Sequence, residues 1–437
     1  MAEIPAARLT PERAAESANP IPASAVVATV LGNGLEFYDF TTYAFFAVMI
    51  GRVFFPARDP FVSLLLSVAA FGVGFVSRPL GGIVIGAYAD RAGRRPAMML
   101  SISLMAAGMM LLAATPSYAT LGVAAPVLVV FARLIQGFAL GGEVGPSTAY
   151  LLEAAPAEKR GQYGVWQIAS QGAATALAGL LGVALSLMFD DAAIQAWAWR
   201  LPFILGVAIV PIGLMLRSRL QETLDPRAAT IHPSATRVFS ALLRDHRRPL
   251  AAALMLITSG TIATYVGAYM TTYALSTLHM TTGVSMGATA VTGACLLVFG
   301  ALGGTLSDRV GRKPVYLVSK LALAAAAYPA FAAINRHHAL GALLAMTGLM
   351  AALNGLGGVA LVIITEGFPK SVRSAGLSTV YALAVTVFGG TTQFAIAWLI
   401  HVTGDPLAPA WYLIASCAIG VAAILIIPET RDLALSD

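Results

Sequence analysis

Three of the chain's 21 Asp and Glu residues fall inside long apolar stretches: Glu36, Asp39 and Glu143. Arg78 and Arg133 lie in such stretches too. An ionisable side chain in hydrocarbon costs about 2.5–3.5 kcal/mol or more, so each of these five is a candidate working part. The chemistry they offer is of two kinds. A carboxylate removed from water favours its neutral form, and so can load and unload a proton. A guanidinium can hold a carboxylate through two parallel hydrogen bonds. At about 100° per residue, Glu36 and Asp39 share a helix face with Tyr43, with Asn33 and Phe40 at its edges. Glu143 lies about 15 Å along the helix from Arg133, which suits a gate as well as a proton site. Arg78 sits on a stripe of small residues, Ala70, Gly74, Gly82 and Gly86, that leaves room for a partner helix or a ligand. A permanent ion pair with Glu36 or Asp39 is the competing reading for either arginine. Lys320, about two turns into its stretch, is expected to snorkel to the membrane surface. Two arginines against three acids leave the embedded charge at −1. A polyanion is then repelled until one acid takes a proton, which is a physical rationale for carrying both together.

Uncharged polar residues extend the candidate binding set. Thr261, Tyr265 and Tyr269 recur at i, i+4 and i+8, Gln167 and Gln171 at i, i+4, and Asn354 and Tyr381 stand in later stretches. Such groups line cavities and orient polar ligands. Hydrogen bonding between helices is the alternative for each.

The elements that must position these residues are helices in a membrane. The chain is 58% hydrophobic and 11% charged, less than half the charge of a typical soluble protein. That balance excludes a disordered chain, a nucleic-acid binder and an ordinary soluble enzyme. A span needs about 20 apolar residues. Twelve stretches qualify, at roughly 24–51, 61–88, 96–115, 120–146, 162–188, 198–217, 248–275, 284–306, 314–335, 339–363, 374–400 and 409–428. The expected fold is therefore an all-α membrane protein with 12 transmembrane helices in two pseudo-symmetric six-helix bundles, since backbone groups in lipid must satisfy one another. The bundles are expected at 24–217 and 248–428, joined by a linker at 218–247, with tails at 1–23 and 429–437. Residues 1–23 have no apolar core of a cleavable signal. Of 27 Lys and Arg, 20 fall on the side of the N-terminus, four on the other side and three within spans. The positive-inside rule then makes both termini cytoplasmic.

The chain is also duplicated. Gly86-Ala-Tyr-Ala-Asp90-Arg91-Ala-Gly93-Arg94-Arg95 recurs 218 residues later as Gly304-Thr-Leu-Ser-Asp308-Arg309-Val-Gly311-Arg312-Lys313. Glu153-Ala-Ala-Pro156 and Arg160 recur as Glu366-Gly-Phe-Pro369 and Arg373 at an offset of 213. Two pairs at nearly one offset define a repeat. Parallel repeats suit a transporter whose halves rock about a site at mid-membrane. Asp90 and Asp308 can pair with neighbouring arginines at a gate that breaks and reforms. A merely positive turn would not need an acid and two glycines at fixed spacing.

The duplicated G-x-x-x-D-R-x-G-R-R/K loop resembles the major facilitator superfamily over the whole chain. The run Gly32-Asn33-Gly34-Leu35-Glu36-Phe37-Tyr38-Asp39, the run from Arg133 through Gln136 to Gly141-Gly142-Glu143, and Trp197-Ala-Trp199-Arg200-Leu-Pro202 resemble its metabolite–proton symporter subfamily. Within it, the citrate- and tricarballylate-transporting members look most similar. Gly34, Phe37 and Lys320 depart from that pattern. The resemblance implies proton-coupled uptake of an organic acid by alternating access. The alternatives are symport of a betaine- or proline-type zwitterion, 2-oxoglutarate or shikimate, and drug–proton antiport.

Other chemistry is not encoded. Gly283-Val-Ser285-Met-Gly287 fits G-x-S-x-G but lies at the end of a span without the strand a nucleophile elbow requires. No Walker A sequence is present and no zinc spacing exists. No enzyme activity, cofactor, metal, nucleic acid or ATPase subunit is expected. The expected partners are a small organic anion, protons and the lipid of the inner membrane, with a co-transported cation open and a monomeric state.

Overall fold

The computed structural model describes residues 23–92, 94–141, 148, 151–152, 155–218, 247–368 and 373–431. The expected linker and most of the N-terminal tail lie outside them. Twelve helical segments follow in order. They are α1 (Ala23–Phe45, continued by Ala47–Phe54), α2 (Pro60–Val76, continued by Arg78–Ala92), α3 (Arg94–Ala114) and α4 (Ala124–Leu140). Then come α5 (Arg160–Met188), α6 (Leu201–Ser218), α7 (Arg247–Ser276) and α8 (Thr282–Val310). The last four are α9 (Arg312–His337), α10 (Leu340–Leu356, continued by Ala360–Gly367), α11 (Arg373–Ala384, continued by Gly390–Thr403) and α12 (Ala408–Ile426). Among the described residues ten helices are long and apolar enough to cross a membrane, and Ala124–Leu140 is shorter.

Two interruptions bear on function. Ser77 breaks α2 one residue before Arg78, and its hydroxyl donates to the carbonyls of Gly74 and Leu134. That pins the break to α4. A π turn at Val385–Gly389 interrupts α11, a feature that often accompanies functional sites in helices.

Small residues set how closely the helices approach. A Cβ on Gly137 would overlap the Gly74 carbonyl, and one on Gly81 would overlap the carbonyl of Phe138. The glycine stripe of α2 is thus the surface on which α4 lies. Between the halves, the most extensive contact is α5 against α8, where a Cβ on Gly179 or Gly293 would strike the backbone at Ala290 or Ala176. On the other side, Gly72 of α2 meets Gly390 of α11. A continuous apolar core runs through both bundles, from Phe40, Phe71 and Phe75 to Tyr265, Val359 and Leu377.

Candidate functional site

The centre of the first bundle is a buried ion pair. Asp39 from α1 accepts from Arg133 Nη1 at 3.1 Å and from Gln136 Nε2 at 3.0 Å, both on α4. Arg133 Nη1 also donates to Gln136 Oε1. All three side chains are fully buried. The pair is held by one guanidinium nitrogen, and Arg133 Nε and Nη2 find no hydrogen-bond partner among the described residues. Aromatic faces supply what is missing: the guanidinium carbon lies 4.3 Å from the Phe40 ring centre and 4.5 Å from that of Tyr43. A cation over such a face is stabilised electrostatically, by about 2 kcal/mol or more when water is excluded.

Arg78 is the second cation. Its guanidinium carbon stands 4.1 Å over Phe75 and 4.5 Å over Phe40, so Phe40 serves both arginines. Among the described residues no carboxylate lies within 4 Å of it, and its Nε is unpartnered. Phe75 carries Arg78 on to Tyr265 of α7, whose ring centre lies 5.5 Å from that of Phe75. Tyr265 also packs edge-on against Phe71, at 5.9 Å. Arg78 therefore sits where the two halves meet. Apolar ring faces thus close around each guanidinium, and the Asp39–Arg133 pair is fully buried.

The other candidates divide by their partners. Asn33 and Gln167 bond each other, and Asn33 Nδ2 also donates to the Gln167 carbonyl and Ser170 Oγ. This is a clasp between α1 and α5. Gln171 is buried with Nε2 unpartnered. Thr261 is buried on α7; Tyr269 belongs to the apolar core of the second bundle. Tyr381 packs against the central core. Asn354 Nδ2 donates to Thr264 Oγ1 at 3.2 Å and Asn354 Oδ1 accepts from Lys320 Nζ at 3.1 Å. Lys320 does not reach the surface: it is fully buried on α9, because Asn354 of α10 offers its head group an acceptor inside the bundle and Gly357 leaves space beside its stem. The side chains of Glu36 and Glu143 lie outside what is described.

The second copy of the repeated loop forms a lock at the basic end of the molecule. Asp308 accepts from the backbone N–H groups of Gly161 and Gln162, each at 2.8 Å, at the start of α5. An anion at a helix N-terminus meets free donors and the positive end of the helix dipole. Arg312 joins Asp308 at 2.6 Å to Glu366 at 3.2 Å, and Thr430 donates to Glu366 at 2.7 Å. Gly304 lets α8 press on Gly161 and Val165, while Arg309 is exposed. Gly311 has φ +106°, which favours glycine, and a Cβ there would meet Glu429. Partial burial pushes the Glu429 carboxyl up, but N–H groups of Arg312, Lys313, Arg431 and Thr430 donate to it and hold it below the usual range. So the expected tail at 429–437 begins as part of the lock. In the first copy, Gly86 lies in α2, Gly93 is outside the described residues, and so are the side chains of Asp90, Arg91 and Arg94. At the opposite end Phe61 of α2 stacks on His401 of α11, ring centres 3.8 Å apart.

Sequence reasoning passed over Phe71 and Phe75 as filler, although Phe75 stands three residues before Arg78. Gln136, at i+3 from Arg133, carried a usable signal.

Residues 24–224 and 218–437 match the family model described as "Sugar (and other) transporter". The chain is 36% identical over 390 residues to the citrate-proton symporter of Klebsiella pneumoniae, covering 89% of this chain and 88% of that protein. It is 32% identical over 424 residues to the proline/betaine transporter of Salmonella typhimurium, covering 93% and 84%. The crystal structure of a D-xylose-proton symporter superposes with a TM-score of 0.74 at 20% identity, over 93% of this chain and 98% of that one. A duplicated gate loop, two six-helix bundles and an ion pair buried inside the first of them converge with these matches: the chain is a multi-pass membrane transporter that belongs to the sugar (and other) transporter family of the major facilitator superfamily.

Proposed function

We propose that the protein takes up an organic acid together with protons, a tricarboxylate such as citrate or tricarballylate being the cargo. One observation carries this reading. Of the two cations that share Phe40, Arg133 has a resident carboxylate and Arg78 has none among the described residues. Arg78 is the anion's first foothold. A proton reaching Asp39 neutralises it and frees the Arg133 guanidinium for a second cargo carboxylate; release of the proton restores the pair and expels the anion. Coupling follows from competition for one guanidinium. The 36% identity to a citrate-proton symporter supports the cargo class. A betaine-type cation would need aromatic faces, and the faces of Phe40, Tyr43 and Phe75 are already covered by guanidinium groups.

The proton gradient is the energy source and no cofactor takes part. The basic end lies in the cytoplasm, with both termini, in the inner membrane. The protein works as a monomer. Alternating access opens the Asp308 contact with the start of α5 or the Phe61–His401 contact in turn.

The test is uptake into proteoliposomes under an imposed pH gradient, with citrate, tricarballylate, 2-oxoglutarate and betaine as competitors. Citrate or tricarballylate should accumulate, and Asp39→Asn or Glu36→Gln should abolish the pH-driven part. Accumulation that stays pH-driven in both variants refutes the carboxylate scheme.

A further inference from the structure

Lys320 is a fully buried lysine with no counter-ion among the described residues. Its ammonium carries three donors and makes one hydrogen bond, to the neutral amide oxygen of Asn354. The ammonium also lies 5.6 Å from the centre of the Tyr316 ring. Among the described residues no carboxylate lies within 4 Å. Buried charges are held paired or coordinated, because an isolated one forfeits its hydration. The acids whose partners are described have other work: Asp39 is on Arg133, Asp308 and Glu366 are on Arg312, and Glu429 is on backbone amides.

The surroundings of Lys320 lead to the joint between the halves. Asn354 donates to Thr264 of α7. Thr264 precedes Tyr265, which packs edge-on against Phe75, the ring over which Arg78 stands. Asn354 and Thr264 also line a cavity of about 20 Å³ with Gly267, Thr292 and Thr347, enough for one water. The Thr347 hydroxyl in its wall is almost fully buried and unpartnered. One turn of α7 is thus approached by Arg78 from the first bundle and by the Lys320–Asn354 pair from the second.

Resting on the cargo class proposed above, we propose that Lys320 is the second bundle's carboxylate-binding residue, placed with Asn354 so that a polycarboxylate bridges Arg78 and Lys320 across the two halves. The cargo supplies the counter-ion that the fold withholds. A molecule with one carboxylate satisfies one end only, so the pair selects for two or more. Bridging also draws the bundles together when loaded.

Equilibrium binding of citrate to the full chain in nanodiscs tests this, with folding followed by thermal melting. Lys320→Met should weaken citrate binding about tenfold or more, the loss of a charge-assisted hydrogen bond, with partial recovery in Lys320→Arg. Asn354→Asp gives the lysine a resident carboxylate. It should raise the melting temperature and weaken citrate by a similar factor, two changes that a purely structural lysine would not link. Should Lys320→Met fail to fold, Asn354→Asp decides alone. A folded variant of either kind that binds citrate as tightly as wild type overturns the bridge and leaves the transport reading standing. Wild-type protein that binds neither citrate nor tricarballylate overturns both.

Discussion

A buried ion pair is costly to form and costlier to break. Asp39 and Arg133 share one direct contact in a site with no exposed surface. Removing one partner leaves the other charged and unpaired, and such losses run to about 3–5 kcal/mol, whereas replacing both can be nearly neutral. Arg133→Gln and Asp39→Asn alone should each lower the melting temperature, and the double variant should recover much of the loss. Thermal melts of the four proteins in one detergent form the cycle; additive losses would mean the pair is not a unit. The pair's members were legible in the sequence because charge in hydrocarbon is rare. Pairing was foreseen as the alternative reading, but which acid meets which arginine was left open, because that depends on which face of α4 meets α1. Lys320 was misread for a related reason. Depth along a helix can be counted, but the acceptor that keeps the head group inside comes from Asn354, 34 positions away. Phe71 and Phe75 were invisible as site residues, since a phenyl ring in an apolar stretch looks like packing until a cation is found above it.

At the scale of elements, spans were readable from run length, and the repeat from its motifs. Interruptions were not: nothing in Val385–Gly389 announces a π turn, and Ser77 breaks α2 through a bond to Leu134 of another helix. The glycine stripe of α2 was read as room for a partner, and α4 occupies it. Gly137→Ala should therefore destabilise, since the new Cβ meets the Gly74 carbonyl, backbone that cannot rotate away. Overpacking of this kind costs about 1–3 kcal/mol, and the upper end is expected here. A melting temperature equal to wild type would show that the helices can part freely. The junction of α9 with the chain after α12 has a pH signature. The Glu429 carboxyl is held low in the folded state, so its contribution is present above about pH 4.3, the unfolded value, and fades as pH falls through the folded one. Glu429→Gln should be less stable than wild type at neutral pH, and the gap should narrow in melts taken at successively more acid pH. A gap that stays constant would assign Glu429 no electrostatic role.

The whole molecule has a contact at each end that must yield in turn. Phe61 and His401 join α2 to α11 at one end, and Asp308 joins α8 to α5 at the other. Cysteines at positions 61 and 401, oxidised to a disulfide, should stop uptake, and reductant should restore it. Uptake that continues in the oxidised protein would mean that these helices do not separate during transport. The pseudo-symmetry was plain from the duplicated loops, but the distribution of charge between the halves was not. The first bundle couples its acid to its cation internally, while the second keeps a lysine unpaired among the described residues.

Phe40 carries a consequence that charge counting hides. Its ring centre lies within 4.5 Å of two guanidinium carbons, those of Arg78 and Arg133. Two like charges gathered so close in oil would repel strongly, yet the ring presents electron density to both. A hydrocarbon of equal bulk would fill the same space and shield neither. The insulation between the resting pair and the waiting cation thus resides in a residue that carries no charge of its own, and an electrostatic map drawn from formal charges alone would leave that position blank.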